Sequence, residues 1–321
     1  MRPPEIIRRA LSTGAIAGML SGCGASQSYV EGAPHVGSAT IARFANVGSW
    51  MKPGSTANEP LLYMADGEEV DIYSMAGKQV GALKGFGFEA VYGLCSDSQG
   101  NVWVTYGGSL LEYTHGGTIP IAQVYTPAAP FSCAVDPTTG DLAVTEDSEG
   151  TANVAVYQAI YGTPQIYTDS AIDSYDYCTY DASGNLFVNG IRGRQMHLTE
   201  LPSGGSTLGT VTLDEKIGRI GGLQWDGQYL AFGDSLSHVV YQFSVAGGHA
   251  TTVSTTHFTG WTGRIFKTIE PFAIYNGVIV LTFSKRQTGF WKFPAGGKSA
   301  HRIGITTGAK TISVPPSGEE K

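Results

Sequence analysis

The chain has 321 residues, with 20 Lys and Arg against 27 Asp and Glu, a net charge of −7. That balance excludes a general nucleic-acid binder, which needs a basic footprint, and no run of 18 apolar residues exists from which to build a membrane-spanning helix. Glycine stands at 44 while charged residues make up only 15%, a composition suited to short strands joined by many tight turns.

The first 22 residues read as a leader rather than as fold. Arg2, Arg8 and Arg9 form a basic region, and Ala10–Leu20 is modestly apolar. Leu20-Ser21-Gly22-Cys23 then resembles the bacterial lipobox, which implies that Cys23 is lipidated after cleavage. Arg8-Arg9 leaves the export route open between the general secretory and twin-arginine pathways. Cleavage removes three Arg and one Glu, so the mature chain carries 17 basic and 26 acidic side chains. Gly24 is not the Asp of inner-membrane retention, so the expected address is the cell envelope, at the outer membrane if there is one. Residues 23–58 are punctuated by Gly, Ser and Pro and read as the lipidated Cys and a flexible tether. Ser38–Ala45 could add a strand locally. Residues 59–321 read as one domain.

That domain is organised by a phrase. Cys178-Thr179-Tyr180-Asp181-Ala182-Ser183-Gly184-Asn185-Leu186-Phe187-Val188 is an apolar strand, a tight Asp-x-x-Gly-Asn turn and a second apolar strand. The phrase recurs about every 40 residues, at Asp97, at Asp136 with one extra turn residue, and in shortened form at Asp226 and Asn276. Asp or Asn ahead of Gly suits a hairpin turn. The repeated Asp is expected to serve its own turn rather than a metal.

A third strand follows each hairpin, at Leu110–Tyr113, Val154–Tyr157, His197–Leu201, Val239–Phe243 and Phe290–Phe293. Fourth strands are expected at Ile121–Val124, Gln165–Thr168, Gly209–Leu213, Thr251–Ser254 and Ala300–Ile305. An earlier copy, Leu61–Ala65, Val70–Tyr73 and Val80–Leu83, lacks its first strand, and Thr311–Val314 at the other end of the chain supplies one. The expected fold is therefore all-β: a six-bladed β-propeller of four-stranded antiparallel blades. Its ring is closed by the C-terminal strand pairing with the first blade.

Over roughly Glu59 to Gly318 the phrase resembles NHL-type and related six-bladed propellers, a group that includes gluconolactonase-like and streptogramin-lyase-like proteins. The lactonase-like members gather a Glu, an Asn and an Asp around a divalent cation such as Ca. The resemblance implies that Glu89, Asn189 and Asp234 could do so here, though no motif matches residue by residue. Lyase-like members use a His base, for which His197 and His238 are conceivable.

With Cys23 given to lipid, Cys95, Cys133 and Cys178 remain. Counted from the turn Asp, Cys95 is two residues back, whereas Cys133 and Cys178 are three back. Opposite parity puts side chains on opposite sheet faces, as a contact between neighbouring blades requires. A Cys95–Cys133 disulfide is the pairing this permits, with three unbridged buried thiols as the other reading.

The loops entering the inner strands and those joining second to third strands are expected to rim one mouth of a central channel. Candidate ligand-rim residues there are Glu89, Tyr92, Glu146, Asp173, Asp176 and Asn189, followed by Arg192, Arg219, Asp234, Arg264 and Lys285. Such a rim could hold a polar or anionic small molecule, a glycan or an envelope protein, or be a set of solvated loop charges. Neither Gly-x-Ser-x-Gly nor a phosphate-cradling Gly-x-x-x-x-Gly-Lys occurs. The favoured expectation is a membrane-tethered, non-catalytic binding propeller, monomeric, with no cofactor and no nucleic-acid partner. The alternative is a metal-dependent lactonase- or lyase-like enzyme. Convergent carboxylates at the mouth would favour the enzyme, whereas dispersed charges around an aromatic floor would favour binding.

Overall fold

A strand whose residues are apolar on both faces must be covered on both sides. Leu61-Leu62-Tyr63-Met64-Ala65 is buried without interruption, and stacking one small sheet between two others satisfies such strands all round. The structure is a computed structural model. It describes residues 48–55, 58–86, 90–147, 152–158, 162–259, 269, 271–284, 287–304 and 308–316, all within one compact unit. The leader, Cys23 and most of the tether lie outside the described residues, as does Ser38–Ala45.

The first blade contains β1 (Trp50–Met51), β2 (Leu61–Asp66), β3 (Glu69–Ser74), β4 (Gln79–Leu83) and the last strand of the chain, β25 (Lys310–Ser313). The second is β5 (Val91–Ser96) to β8 (Pro120–Tyr125), through β6 (Val102–Tyr106) and β7 (Ser109–Tyr113). The third runs β9 (Pro130–Val135), β10 (Leu142–Glu146), β11 (Asn153–Tyr157), β12 (Gln165–Tyr167), and the fourth β13 (Ser174–Tyr180), β14 (Leu186–Arg192), β15 (Gln195–Leu201), β16 (Gly209–Leu213). In the fifth are β17 (Ile220–Trp225), β18 (Leu230–Asp234), β19 (Val239–Ala246) and β20 (His249–Thr259). The sixth has β21 (Ala273–Tyr275), β22 (Val278–Ser284), β23 (Gln287–Lys292) and β24 (Gly296–Gly304). Within each blade neighbouring strands are antiparallel. The protein is a six-bladed β-propeller.

Closure follows the expected register. β25 is the innermost strand of the first blade and pairs antiparallel with β2, Leu61 opposite Ser313 and Met64 opposite Lys310. It is also tied sideways to the second blade. Ser96 Oγ donates to Ile312 O at 3.0 Å, Ser313 Oγ donates to Gly100 O, and His115 Nδ1 lies 2.6 Å from Ser313 Oγ. His115 is thus part of the seam.

Six apolar clusters fill the six gaps between blades. Tyr63 and Val104 share the gap between the first and second blades, while Leu62, Val280 and Ile312 share that between the sixth and the first. Trp103, Trp291, Tyr63, Tyr113, Tyr157 and Tyr175 are fully buried in these gaps. Cys95 and Cys133 lie in the gap between the second and third blades and are joined as a disulfide, with Cα atoms 5.6 Å apart. Cys178 is a buried free thiol in the next gap.

Three features depart from the expected plan. The ring begins before residue 59: Trp50 and Met51 pair with Ala82 and Gly81, giving the first blade a fifth, outermost strand. Val314 lies beyond the last strand and is 37% exposed rather than packed inside. β20 is 11 residues long and pairs in parallel with β16 at one end and β24 at the other, stitching the rims of the fourth, fifth and sixth blades.

Candidate functional site

Six inner strands surround the axis: β5, β9, β13, β17, β21 and β25. Each has one ladder partner, and its other edge faces the axis, where neighbouring blades take some of its backbone groups, as at Ile274, Trp225 N and Ile312 O. Residues from all six line one cavity of about 440 Å³, inside the range typical of small-molecule sites.

At the end where these strands begin, the cavity wall is aromatic. Tyr92, Tyr177 and Phe272 line it. Phe131 stands between the first two, its ring centroid 6.3 Å from Tyr92 and 5.6 Å from Tyr177. Gly93 allows this arrangement, because a Cβ there would sit 2.5 Å from the Phe131 carbonyl oxygen. Lys310 completes this end, with Nζ donating to Gly308 O at 2.7 Å and Pro271 O at 3.4 Å. At the opposite end the described charged residues of the wall are Asp97 and Asp181. Both are taken up by their turns. Asp97 Oδ1 accepts from Gln99 N and Asn101 N at 2.9 and 2.8 Å, and Asp181 Oδ1 accepts from Ser183 N and Asn185 N at 2.8 and 2.9 Å. Asp136 and Asp226 accept from their turns in the same way.

The charged rim expected from sequence does not converge on the channel. Of its described members, only Tyr92 lines the cavity; Glu89, Arg264 and Lys285 lie outside the described residues. Asp173 and Arg192 are exposed and 3.9 Å apart, and Arg219 is exposed. Such surface pairs contribute little. Glu146 is fully buried. Burial pushes its carboxyl up to about 7, offset only partly by the Asn153 amide and the Ala128 backbone. Asp176 is raised to about 7 by burial and then by Asp147.

Asn189 and Asp234 have structural work. In β5, β13 and β17 the pairing slips by one residue near the start of the strand, and such a bulge leaves backbone groups without ladder partners. In β5 and β13 a side chain from the neighbouring strand fills the gap, and in β17 Gly222 N donates to Ile269 O at 2.9 Å. In the second blade Thr105 Oγ1 accepts from Gly93 N at 2.6 Å. In the fourth, Asn189 Oδ1 accepts from Tyr177 N at 2.8 Å while its Nδ2 donates to Gly221 O of the fifth blade at 3.1 Å. Asp234 is buried and accepts from the backbone N–H of Gly218, Arg219, Leu236 and Ser237 at 2.8–3.3 Å. Burial alone would raise its pKa, but these donors hold it below the ordinary carboxylate value.

A separate acidic group occurs at the first blade, where Asp66, Glu69 and Asp71 bring carboxylate oxygens within 4.8 Å of one another. It is already partnered: Lys84 Nζ is 2.6 Å from Glu69 Oε2, and Gln79 Nε2 donates to Asp71 Oδ1 at 2.7 Å. Phe131, Phe272 and Lys310 were not singled out from sequence. The signal was present, since an aromatic residue stands four or five positions ahead of the turn residue at Tyr92, Phe131, Tyr177 and Phe272.

No family model matches the chain, and no curated protein matches it. Solved structures do. A chain of a nidogen/laminin complex superposes with a TM-score of 0.65 at 15% identity, over 79% of this chain and 98% of that one. A protein of unknown function from Bacteroides caccae gives 0.56 at 12% identity over the same shares. A streptogramin B lyase structure gives 0.49 at 14%, covering 67% of this chain and 68% of that one. At such identities the first two show a common fold.

Proposed function

We propose that this chain is a lipid-tethered, non-catalytic binding propeller of the bacterial cell envelope, holding a small molecule at the aromatic mouth of its channel. One observation carries the reading: the cavity wall gathers Tyr92, Tyr177 and Phe272, while among the described rim acids Glu146 is buried, Asp234 is held by backbone donors, Asp173 is exposed and the half-buried Asp176 does not line the cavity. A divalent-cation centre built on Glu89, Asn189 and Asp234 would need side-chain oxygens available for the ion. Asn189 and Asp234 already spend theirs on backbone N–H groups, which argues against the lactonase-like alternative. The nidogen/laminin neighbour adds that this fold occurs in a protein–protein complex. The tether and the envelope address rest on the Leu20–Cys23 motif.

The purified whole chain is expected to hold no stoichiometric metal and to leave lactone substrates unhydrolysed with or without added Ca²⁺. Chelator-sensitive turnover would overturn the binding reading. For the tether, Cys23→Ala should move the protein out of the membrane fraction, and unchanged detergent partitioning of that variant would refute it.

A further inference from the structure

The chemistry of the channel wall narrows the ligand class. Its polar side chains are largely engaged within the protein. Gln224 exchanges two hydrogen bonds with the Ile274 backbone, Nε2 to O at 3.1 Å and N to Oε1 at 2.8 Å. Thr179 Oγ1 accepts from Trp225 N at 3.0 Å, and Thr311 Oγ1 lies 3.1 Å from Ser96 Oγ. Lys310 Nζ donates to two backbone carbonyls. A polyhydroxylated ligand would have to break these bonds or keep its own water, and either lowers affinity.

Ring surface, by contrast, is on offer. Tyr92 is 51% exposed at the mouth. Phe131 stacks against it at an interplanar angle of 29°, and Tyr177 follows at 50° to Phe131. The half-buried Phe131 and buried Tyr177 therefore fix the position of an exposed ring, which is what a preorganised stacking face requires. Deeper in the channel, neighbouring side chains already take part of the inner-strand edges, at Ile274, Trp225 N and Ile312 O, so the remaining backbone groups reach a small group but not a ring's whole perimeter.

Resting on the reading of the mouth as a binding site, we infer that the channel takes a flat aromatic ring bearing one small polar group. The ring stacks on Tyr92, and the polar group points down the channel to inner-strand backbone. Saturated, polyhydroxylated rings are discriminated against.

Isothermal titration of the whole chain with 2-naphthol and, in parallel, with methyl β-glucoside tests this. Saturable binding of 2-naphthol and none of the glucoside is expected. Tyr92→Ala should weaken naphthol binding roughly three- to tenfold, the value of one aromatic contact, with Tyr92→Phe restoring it and the melting temperature of both variants unchanged. Glucoside binding as tight as naphthol binding overturns the inference, as does no naphthol binding, or full naphthol affinity in Tyr92→Ala. Failure of the binding reading itself shows separately, as metal-dependent lactone turnover, an assay in which naphthol plays no part.

Discussion

Asn189 spans two blades with one amide, accepting from Tyr177 N and donating to Gly221 O. Asn189→Ala would leave both buried backbone groups without partners, at about 1–3 kcal/mol each. A loss of about 2–6 kcal/mol in denaturant unfolding is expected, against about 0.5 kcal/mol or less for Arg192→Ala at the surface. Wild-type stability in Asn189→Ala would mean the side chain is kept for a ligand instead. Asn189 and Asp234 show where reading residues one at a time stops. Both were expected on loops at a mouth, which is how a ligand set looks in sequence, whereas Asn189 lies in the middle of β14 and Asp234 ends β18. The bulge that claims Asn189 arises from the pairing of two strands, and no residue of β13 announces it.

Ile312 is nearly buried, between the sixth blade and the first, while Val314 is 37% exposed. Ile312→Ala should therefore cost about 2–5 kcal/mol and Val314→Ala about 0.5 kcal/mol or less. Removing residues 310–321 strips β25 from β2, and the shortened chain is expected to aggregate or to melt far below the whole protein. Melting within a degree or two would refute closure by this strand. Most elements were legible because each turn repeats one piece of chemistry, an Asp carboxylate bonded to the N–H groups two and four residues on at Asp97 and Asp181. β1 was not, since two residues carry no periodicity and their place depends on the free edge of β4. The stitching by β20 was equally hidden: its tail, Thr255 to Thr259, lies past the expected strand and gains a second partner only once β24 is alongside. The aromatic wall stayed unread because Phe131 and Phe272 look like ordinary core residues until the ring closes around them.

At the scale of the whole molecule, four acids, three of them buried and Asp176 half-buried, share one direction. Burial raises Asp71 to about 6 and Glu112, Glu146 and Asp176 to about 7, with neighbouring carboxylates adding to it for all but Glu146. A carboxyl whose folded pKa lies above its unfolded one gains a proton on folding, so stability rises as pH falls through the folded value and levels off below the unfolded one. Asp234, held low, has the opposite sign and loses its contribution only in stronger acid. Stability should therefore peak between about pH 4 and 6. After discounting for partial exposure, the gain over pH 8 is at least about 1 kcal/mol, or about 2–4 °C in melting temperature. A melting temperature that is flat or falling between pH 8 and 5.5 would contradict this. The position of β25 also sets an order in time. On the ribosome the first blade emerges as β1 to β4 and then waits, its innermost place vacant, while the other five are synthesised. Only β25, made after the other five blades, supplies the missing strand, so the nascent ring carries an exposed β2 edge until then. Contacts this distant in sequence form slowly, and open strand edges invite the wrong partner. The β2 edge is closed only once β25 has been made and has swung back to the first blade.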